Sequence, residues 1–274
     1  MKKRSISQIL AIVIIILGAI SMLIPFLWMI STSLKEEAEV FTFPVTWIPK
    51  SFKWENYKQA IQIGNFGRIF FNSTFVALAT TILALLFNSM AAYAFSKFKF
   101  KGRNVLFIIL LATMMIPGQV IMIPIYLLFR EMHLLNSYAG LIIPGIASAF
   151  GIFMMRQFMV SLPDELLDAA RMDGASEIRI FFQLILPMVK APLAALAIFT
   201  FMGSWNDYFR PLILITKESM KTLPLFLSSL SSGLYVQSWP LVMAATVIIT
   251  LPIMIVFFSA QKYFIEGMAL SGLK

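Results

Sequence analysis

Residues 162–187 read LPDELLDAARMDGASEIRIFFQLILP, a charged, soluble-looking stretch set inside a chain whose flanks are apolar over membrane-span lengths. That contrast decides the fold class, and the stretch itself resolves into helix, turn and helix. Pro163 suits the first turn of a helix, where its missing N–H costs nothing, and Asp164 and Glu165 complement the positive end of the helix dipole. Leu166, Leu167 and Ala170 form one apolar side, while Asp168 and Arg171 face elsewhere. Gly174 ends this helix at a left-handed residue, and Ser176 caps a second one carrying Ile178, Phe181, Phe182 and Ile185. Small Ala169 and Ala170 permit close approach by another surface, and an acidic residue beside them pairs with a partner's arginine or lysine. From physics alone two readings fit equally. The stretch is either a docking element for a cytosolic partner or an amphipathic connection lying on the inner membrane face.

Outward from this stretch, composition sets the solvent. Of 274 residues, 59% are hydrophobic and 13% charged, with a mean hydropathy of +0.86, which no soluble sphere accommodates. A bilayer core about 30 Å thick needs roughly 20 apolar residues per spanning helix. Strand-like alternation of barrel length is absent, and only helices or closed barrels satisfy their backbone in hydrocarbon. The expected fold is therefore all-α, a polytopic membrane helical bundle of about six transmembrane helices. The spans fall at residues 10–30, 73–95, 105–129, 139–158, 192–215 and 240–260. Pro25, Pro117, Pro124, Pro144, Pro211 and Pro252 lie in or near them, so kinks are expected.

Lysine and arginine placement gives the orientation. With the N-terminus inside, thirteen of the 22 basic residues but only six of the 13 acidic residues fall on the cytoplasmic side. Both termini of this multi-pass membrane protein are thus expected in the cytoplasm. The formal net charge of +9 is a topology signal plus attraction to anionic membrane lipid, and leaves no nucleic-acid partner to explain. The first apolar run is too long for a signal peptide and reads as an uncleaved span. Trp47, Trp54 and Tyr57, with Pro44 and Pro49, mark the external segment 32–72 as a headgroup-interface region, with a contact surface for an external partner as the second reading. The GRIFFNS stretch, residues 67–73, reads as a short amphipathic entry into the second span. The expected organisation is a first transmembrane helix with external loop at 1–66, a core at 67–262 and a cytoplasmic tail at 263–274.

Chemistry-bearing constellations are sparse. There is no cysteine, hence no disulfide or thiolate metal site, and His133 has no ligand-spaced companion. The 18 methionines and 26 phenylalanines are dispersed along apolar spans, which speaks for packing. No G-x-x-x-x-G-K-[ST] phosphate cradle occurs. No catalytic residue, metal site or cofactor is expected on this chain. Asn206, Asp207 and Arg210 stand out in the outer part of the fifth span, where Asp207 and Arg210 pair at i, i+3. Ionisable groups there face a bundle interior or a wet cavity, so the trio either lines or gates a substrate pathway, with Trp205 or Tyr208 stacking near the substrate, or forms a structural ion pair at the interface.

The segment DAARMDGASEIRIFFQLILP resembles the EAA signature of bacterial ABC-importer permeases, with Asp168 where the family has glutamate. MIPGQVIMIPIYLLF, LLNSYAGLI, SWNDYFRPLIL and the terminal QKYFIEGMALSGLK are similar to stretches of carbohydrate importers of the maltose-transporter permease type, over nearly the whole chain. The resemblance implies a non-enzymatic permease subunit of the bacterial plasma (inner) membrane that forms half of a pore for a sugar or oligosaccharide. Its implied partners are a second homologous permease, two copies of an ATPase subunit that binds ATP and Mg, and an external solute-binding protein. Carried over, Asp168, Ala169, Ala170, Asp173 and Gly174 form the ATPase-coupling element, and the tail resembles a segment that reaches the ATPases. Rival readings are an ATP-independent solute channel and the permease of an amino-acid or peptide ABC importer.

Overall fold

The computed structural model describes residues 6–232 and 238–271, with side chains of 6, 260 and 262–271 outside the description. Lys2, Lys3, Arg4, Lys274 and the side chains of the tail therefore lie outside the described residues. Every regular element among the described residues is helical.

Among the described residues, three helices are long and apolar enough to cross a bilayer: Ser7–Ser33, Glu55–Lys97 and Trp239–Ser259. The first lies within α1 (Ile6–Ser33), apolar all round, and it passes through Pro25 unbroken. After α2 (Glu37–Val40) and α3 (Glu55–Gln62), α4 (Phe66–Lys97) absorbs the GRIFFNS stretch into one 32-residue helix. The last is α15 (Trp239–Ser271), continuous through Pro252 and longer than the span at 240–260.

The other three expected spans are broken. Residues 105–129 split into α5 (Arg103–Ala112) and α6 (Met122–Glu131), because Ile116 is extended ahead of Pro117, as the residue before proline prefers. Residues 139–158 split into α7 (Tyr138–Ile142) and α8 (Ala149–Val160), bent by 42°. Residues 192–215 split at Asn206–Tyr208 into α12 (Lys190–Trp205) and α13 (Phe209–Leu214). The charged stretch supplies α9 (Asp164–Met172), α10 (Glu177–Ile180), a wide turn at Phe181–Ile185 and α11 (Leu186–Met188). The chain then turns 85° into α12. Two bent pairs, Tyr138–Gly145 with Ala149–Val160 and Glu177–Met188 with Lys190–Trp205, are each apolar and long enough to count as one broken span.

The chain divides into two compact units. One comprises Met1–Gly67 and Leu227–Leu251, the latter holding most of α14 (Leu223–Ser231). Here the segment after α1 folds back on its end. Buried Lys35 donates to the Thr46 carbonyl and lies 4.2 Å over the Trp28 ring, while Glu39 accepts from Thr46 Oγ1 and Lys50 N, both at 3.1 Å. Burying an ammonium is tolerated only with such partners. Trp47 meets Trp28 edge-on at 5.4 Å.

The other unit, Arg68–Phe226 and Pro252–Lys274, is built on α4. Near its start, buried Asn72 donates to the Ser219 and Lys221 carbonyls at 2.9 Å and accepts from Tyr138 Oη at 2.7 Å. Val76 packs there with Leu141, Ile142, Ile215, Met220 and Leu225. Near its end, Ala92 and Tyr93 join Ile152, Met155, Met159, Leu167, Ile180, Phe181 and Ile185 in a second cluster. Its members come from α4, α8, α9, α10 and the turn after it, so the charged stretch is anchored in apolar core at both of its helices.

Candidate functional site

Pro163 sits one residue earlier than expected. It is the N-cap of α9, with an extended ψ of 132°, and Asp164 and Glu165 occupy the first turn. Helix α9 ends as its glycine predicts. Gly174 takes φ +78°, Asp173 N donates to Ala169 O, Gly174 N to Arg171 O and Ala175 N to Ala170 O, each at 3.0 Å. A Cβ at Gly174 would meet nothing within 4 Å, so only the backbone conformation demands glycine there. Ser176 Oγ accepts from Arg179 N at 3.4 Å as the cap of α10.

Leu167 is the buried anchor of α9, and Ala170 is half-buried against the same cluster. Asp168, Ala169, Asp173 and Gly174 are exposed together, beside Met172 at 89% exposure. Of the two alanines, only Ala169 thus faces outward. Leu166, Ile178 and Phe182, expected on apolar faces, are exposed, whereas the buried stripe beyond α9 runs through Ile180, Phe181, Ile185 and Val189.

Polar contacts fix this exposed face. Arg171 bridges Asp168 Oδ1 at 2.9 Å and Glu177 Oε1 at 2.8 Å, and Tyr93 Oη of α4 donates to Glu177 Oε2 at 2.7 Å. Lys97 Nζ, on a side chain only 3% exposed, donates to Asp164 Oδ1 at 2.6 Å and Leu162 O at 2.5 Å. The hydrogen bond from Arg171 holds the Glu177 carboxyl below its ordinary range, and that from Lys97 does the same for Asp164. The bridging carboxylates raise the Arg171 guanidinium further. Tyr93 and Lys97 escaped the sequence reading because nothing local marks a span residue as the partner of a loop far along the chain.

The second set of residues lies at the breaks. Asp207 Oδ2 pairs with Arg210 Nε at 2.5 Å, and its Oδ1 accepts from Arg210 N at 3.2 Å, starting α13. The pair forms at the expected i, i+3 spacing, at the break before α13 instead of within a continuous helix. Arg210 reaches a cleft of about 290 Å³ lined by Thr80, Gly145, Ser148, Phe150, Phe199 and Ser204 among others. Asn206 turns back to donate to Met202 O at 2.9 Å. Trp205 is 1% exposed, stacked on Phe201 and edge-on to Phe70, so it is unavailable for stacking on a ligand. Among the described residues, no group of three His, Cys, Asp or Glu could hold a metal ion.

Residues 88–269 match the family of binding-protein-dependent transport system inner membrane components. The chain belongs to that family.

This permease is 40% identical over 227 residues to the arabinooligosaccharides transport system permease protein AraQ of Bacillus subtilis (strain 168), covering 82% of this chain and 80% of that one. It is 35% identical over 266 residues to the lactose transport system permease protein LacG of Rhizobium radiobacter, covering 97% and 96%. A chain in the crystal structure of a bacterial ABC transporter involved in the import of the acidic polysaccharide alginate superposes with a TM-score of 0.82. That pair is 28% identical, with 96% of this permease and 100% of that chain covered. The protein is therefore a multi-pass transport permease of the bacterial inner membrane.

Proposed function

We propose that this permease forms half of the translocation pore of an ATP-driven importer for a sugar or oligosaccharide. A second homologous permease supplies the other half, and an external solute-binding protein delivers the substrate. Two copies of an ATPase subunit, which bind ATP and Mg, grip the 162–187 stretch and its counterpart on the second permease from the cytosol, with both termini on that side. Sugar as substrate is supported by the names of AraQ, LacG and the alginate importer. The tail at 263–274, whose sequence resembles a segment that reaches the ATPases, has its side chains outside the described residues.

The observation that carries the coupling role is the exposed face of Asp168, Ala169, Asp173 and Gly174 on a helix whose opposite face is pinned by buried Leu167. A rigid, outward-facing helix can carry force. ATP must favour one global state of the pore over the other, and a seated helix communicates that preference. In the substrate pathway, Arg210 lines the cleft, Asp207 orients it and Asn206 closes the end of α12.

The test is Gly174→Arg in the full complex reconstituted in liposomes. Its side chain projects into open space, so uptake should fall at least about tenfold while ATP hydrolysis continues. Gly174→Ala, carrying only left-handed strain of about 1 kcal/mol, should retain uptake. Undiminished uptake in Gly174→Arg would remove the docking role. Solute flux through the permeases without ATPase would favour the channel reading.

A further inference from the structure

Both helices of the 162–187 stretch are held by side chains of a span remote in sequence. Helix α9 follows α8 in the chain, and α10 leads through the wide turn towards α12, yet the polar attachments come from α4. Lys97, its last residue, donates to Leu162 O and Asp164 Oδ1 at the start of α9. Tyr93, one turn earlier on the same face, donates to Glu177 at the start of α10, and Glu177 binds Arg171, which binds Asp168. Leu167 sits in the apolar cluster with Ala92 and Tyr93, between the two polar attachments. The face bearing Asp168 and Ala169 is thereby triangulated on the end of α4 by two polar attachments and one apolar one.

We infer that Tyr93 and Lys97 are positioning residues that make the 162–187 stretch and the C-terminal end of α4 move as one piece, so that a pull on α9 reaches this span directly. This rests on the stretch being gripped by an ATPase, as proposed above. Without the two polar attachments the pull passes along the chain, through the Ser161–Leu162 tether to α8 and the Gly174 turn to α10, and through the non-directional apolar contact of Leu167. With them, displacement of α9 would require a 3% exposed ammonium to lose its carboxylate and carbonyl partners together. Helix α4 also carries Thr80, which lines the cleft beside Arg210, and Asn88, whose Oδ1 accepts from Ser148 N at 2.8 Å at the α7–α8 break. One rigid helix thus joins the gripped stretch to the broken segments, a physical route for coupling.

The experiment uses the complete complex with its ATPase and binding protein in liposomes. It measures substrate taken up per ATP hydrolysed, beside the yield of an Ala169→Cys crosslink to the ATPase. Tyr93→Phe keeps the ring contacts with Phe98 at 5.3 Å and Phe181 at 5.7 Å and removes only the hydroxyl. Lys97→Met removes the ammonium, and Lys97→Arg restores a cation. The ratio should fall roughly fivefold in Tyr93→Phe and Lys97→Met, with crosslink yield and assembly unchanged, and recover in Lys97→Arg. An unchanged ratio in both variants overturns the inference. A fall confined to the amount of assembled complex does so too, since that is what a merely structural attachment predicts. If the parent Ala169→Cys complex gives no crosslink, the docking reading fails and takes this inference with it; a normal crosslink with an unchanged ratio leaves docking standing and removes the clamp alone.

Discussion

Arg210 is oriented by one carboxylate that does two tasks, pairing with its guanidinium and accepting from its backbone N–H. Asparagine at 207 keeps an acceptor for the backbone but removes the charge, so Asp207→Asn separates helix start from ion pair. The lost charge-assisted bond, about 1.5 kcal/mol, should lower uptake roughly tenfold without reducing the yield of assembled complex. Uptake assays alongside size-exclusion chromatography check this, and uptake equal to the parent would return the pair to a structural role. The carboxyls that fix α9 make a second prediction. Glu177 and Asp164 have pKa values depressed by Arg171 and Lys97 respectively. Their stabilisation is therefore fully present above the unfolded-state range of about 4 and lost only as pH falls through the lower folded values. Amide exchange in α9, corrected for intrinsic rate, should be flat from about pH 7 to pH 5 and rise only below about pH 4. Loss of protection near neutrality would contradict the assignment. At this scale the sequence was most legible where the determinant was local. Gly174 acts through its own backbone and Ser176 through a hydroxyl cap three residues away, so both were readable, whereas Lys97 and Asp164 are far apart in the chain and nothing in either flank announces the pair.

Among elements, the same residue type has opposite outcomes. Pro25 and Pro252 lie inside continuous helices, while Pro117 and Pro144 accompany breaks. Proline removes one backbone bond in every case, and what differs is whether something else satisfies the backbone freed by a complete break. At the α7–α8 break the answer is Asn88, fully buried on α4, which accepts from Ser148 N while its amide donates to Ala84 O at 2.7 Å. Ser148 in turn accepts from Gly151 N at 3.0 Å. Close approach completes the arrangement, since a Cβ on Gly145 would lie 2.5 Å from the Thr80 methyl. The apolar segments could be placed from hydropathy, but the α7–α8 break depends on this distant acceptor and so was not visible in periodicity. Asn88→Leu should leave the Ser148 N–H unsatisfied in an apolar setting and lower stability by about 1–3 kcal/mol. Thermal unfolding in detergent measures this. An unaltered midpoint would mean that the break is satisfied by other groups.

For the molecule as a whole, the coupling role requires one specific sidedness. The expected orientation comes from basic residues clustering near span ends, and it places the 162–187 stretch inside and residues 32–72 outside. Ala169 and Phe43 are suitable reporters because the first is exposed on α9 and the second is 93% exposed in the segment after α1. The chain has no cysteine, so a single Ala169→Cys or Phe43→Cys substitution creates a unique thiol. A membrane-impermeant maleimide added to intact cells stripped of their outer barrier should label Phe43→Cys and leave Ala169→Cys untouched until the membrane is opened. The reverse pattern would place the acidic, small-residue face of α9 on the side that lacks ATP, where no nucleotide-driven subunit can grip it. The coupling role of Asp168 and Gly174 and the clamp through Tyr93 and Lys97 would then both be untenable, while the family membership, which rests on residues 88–269, would stand.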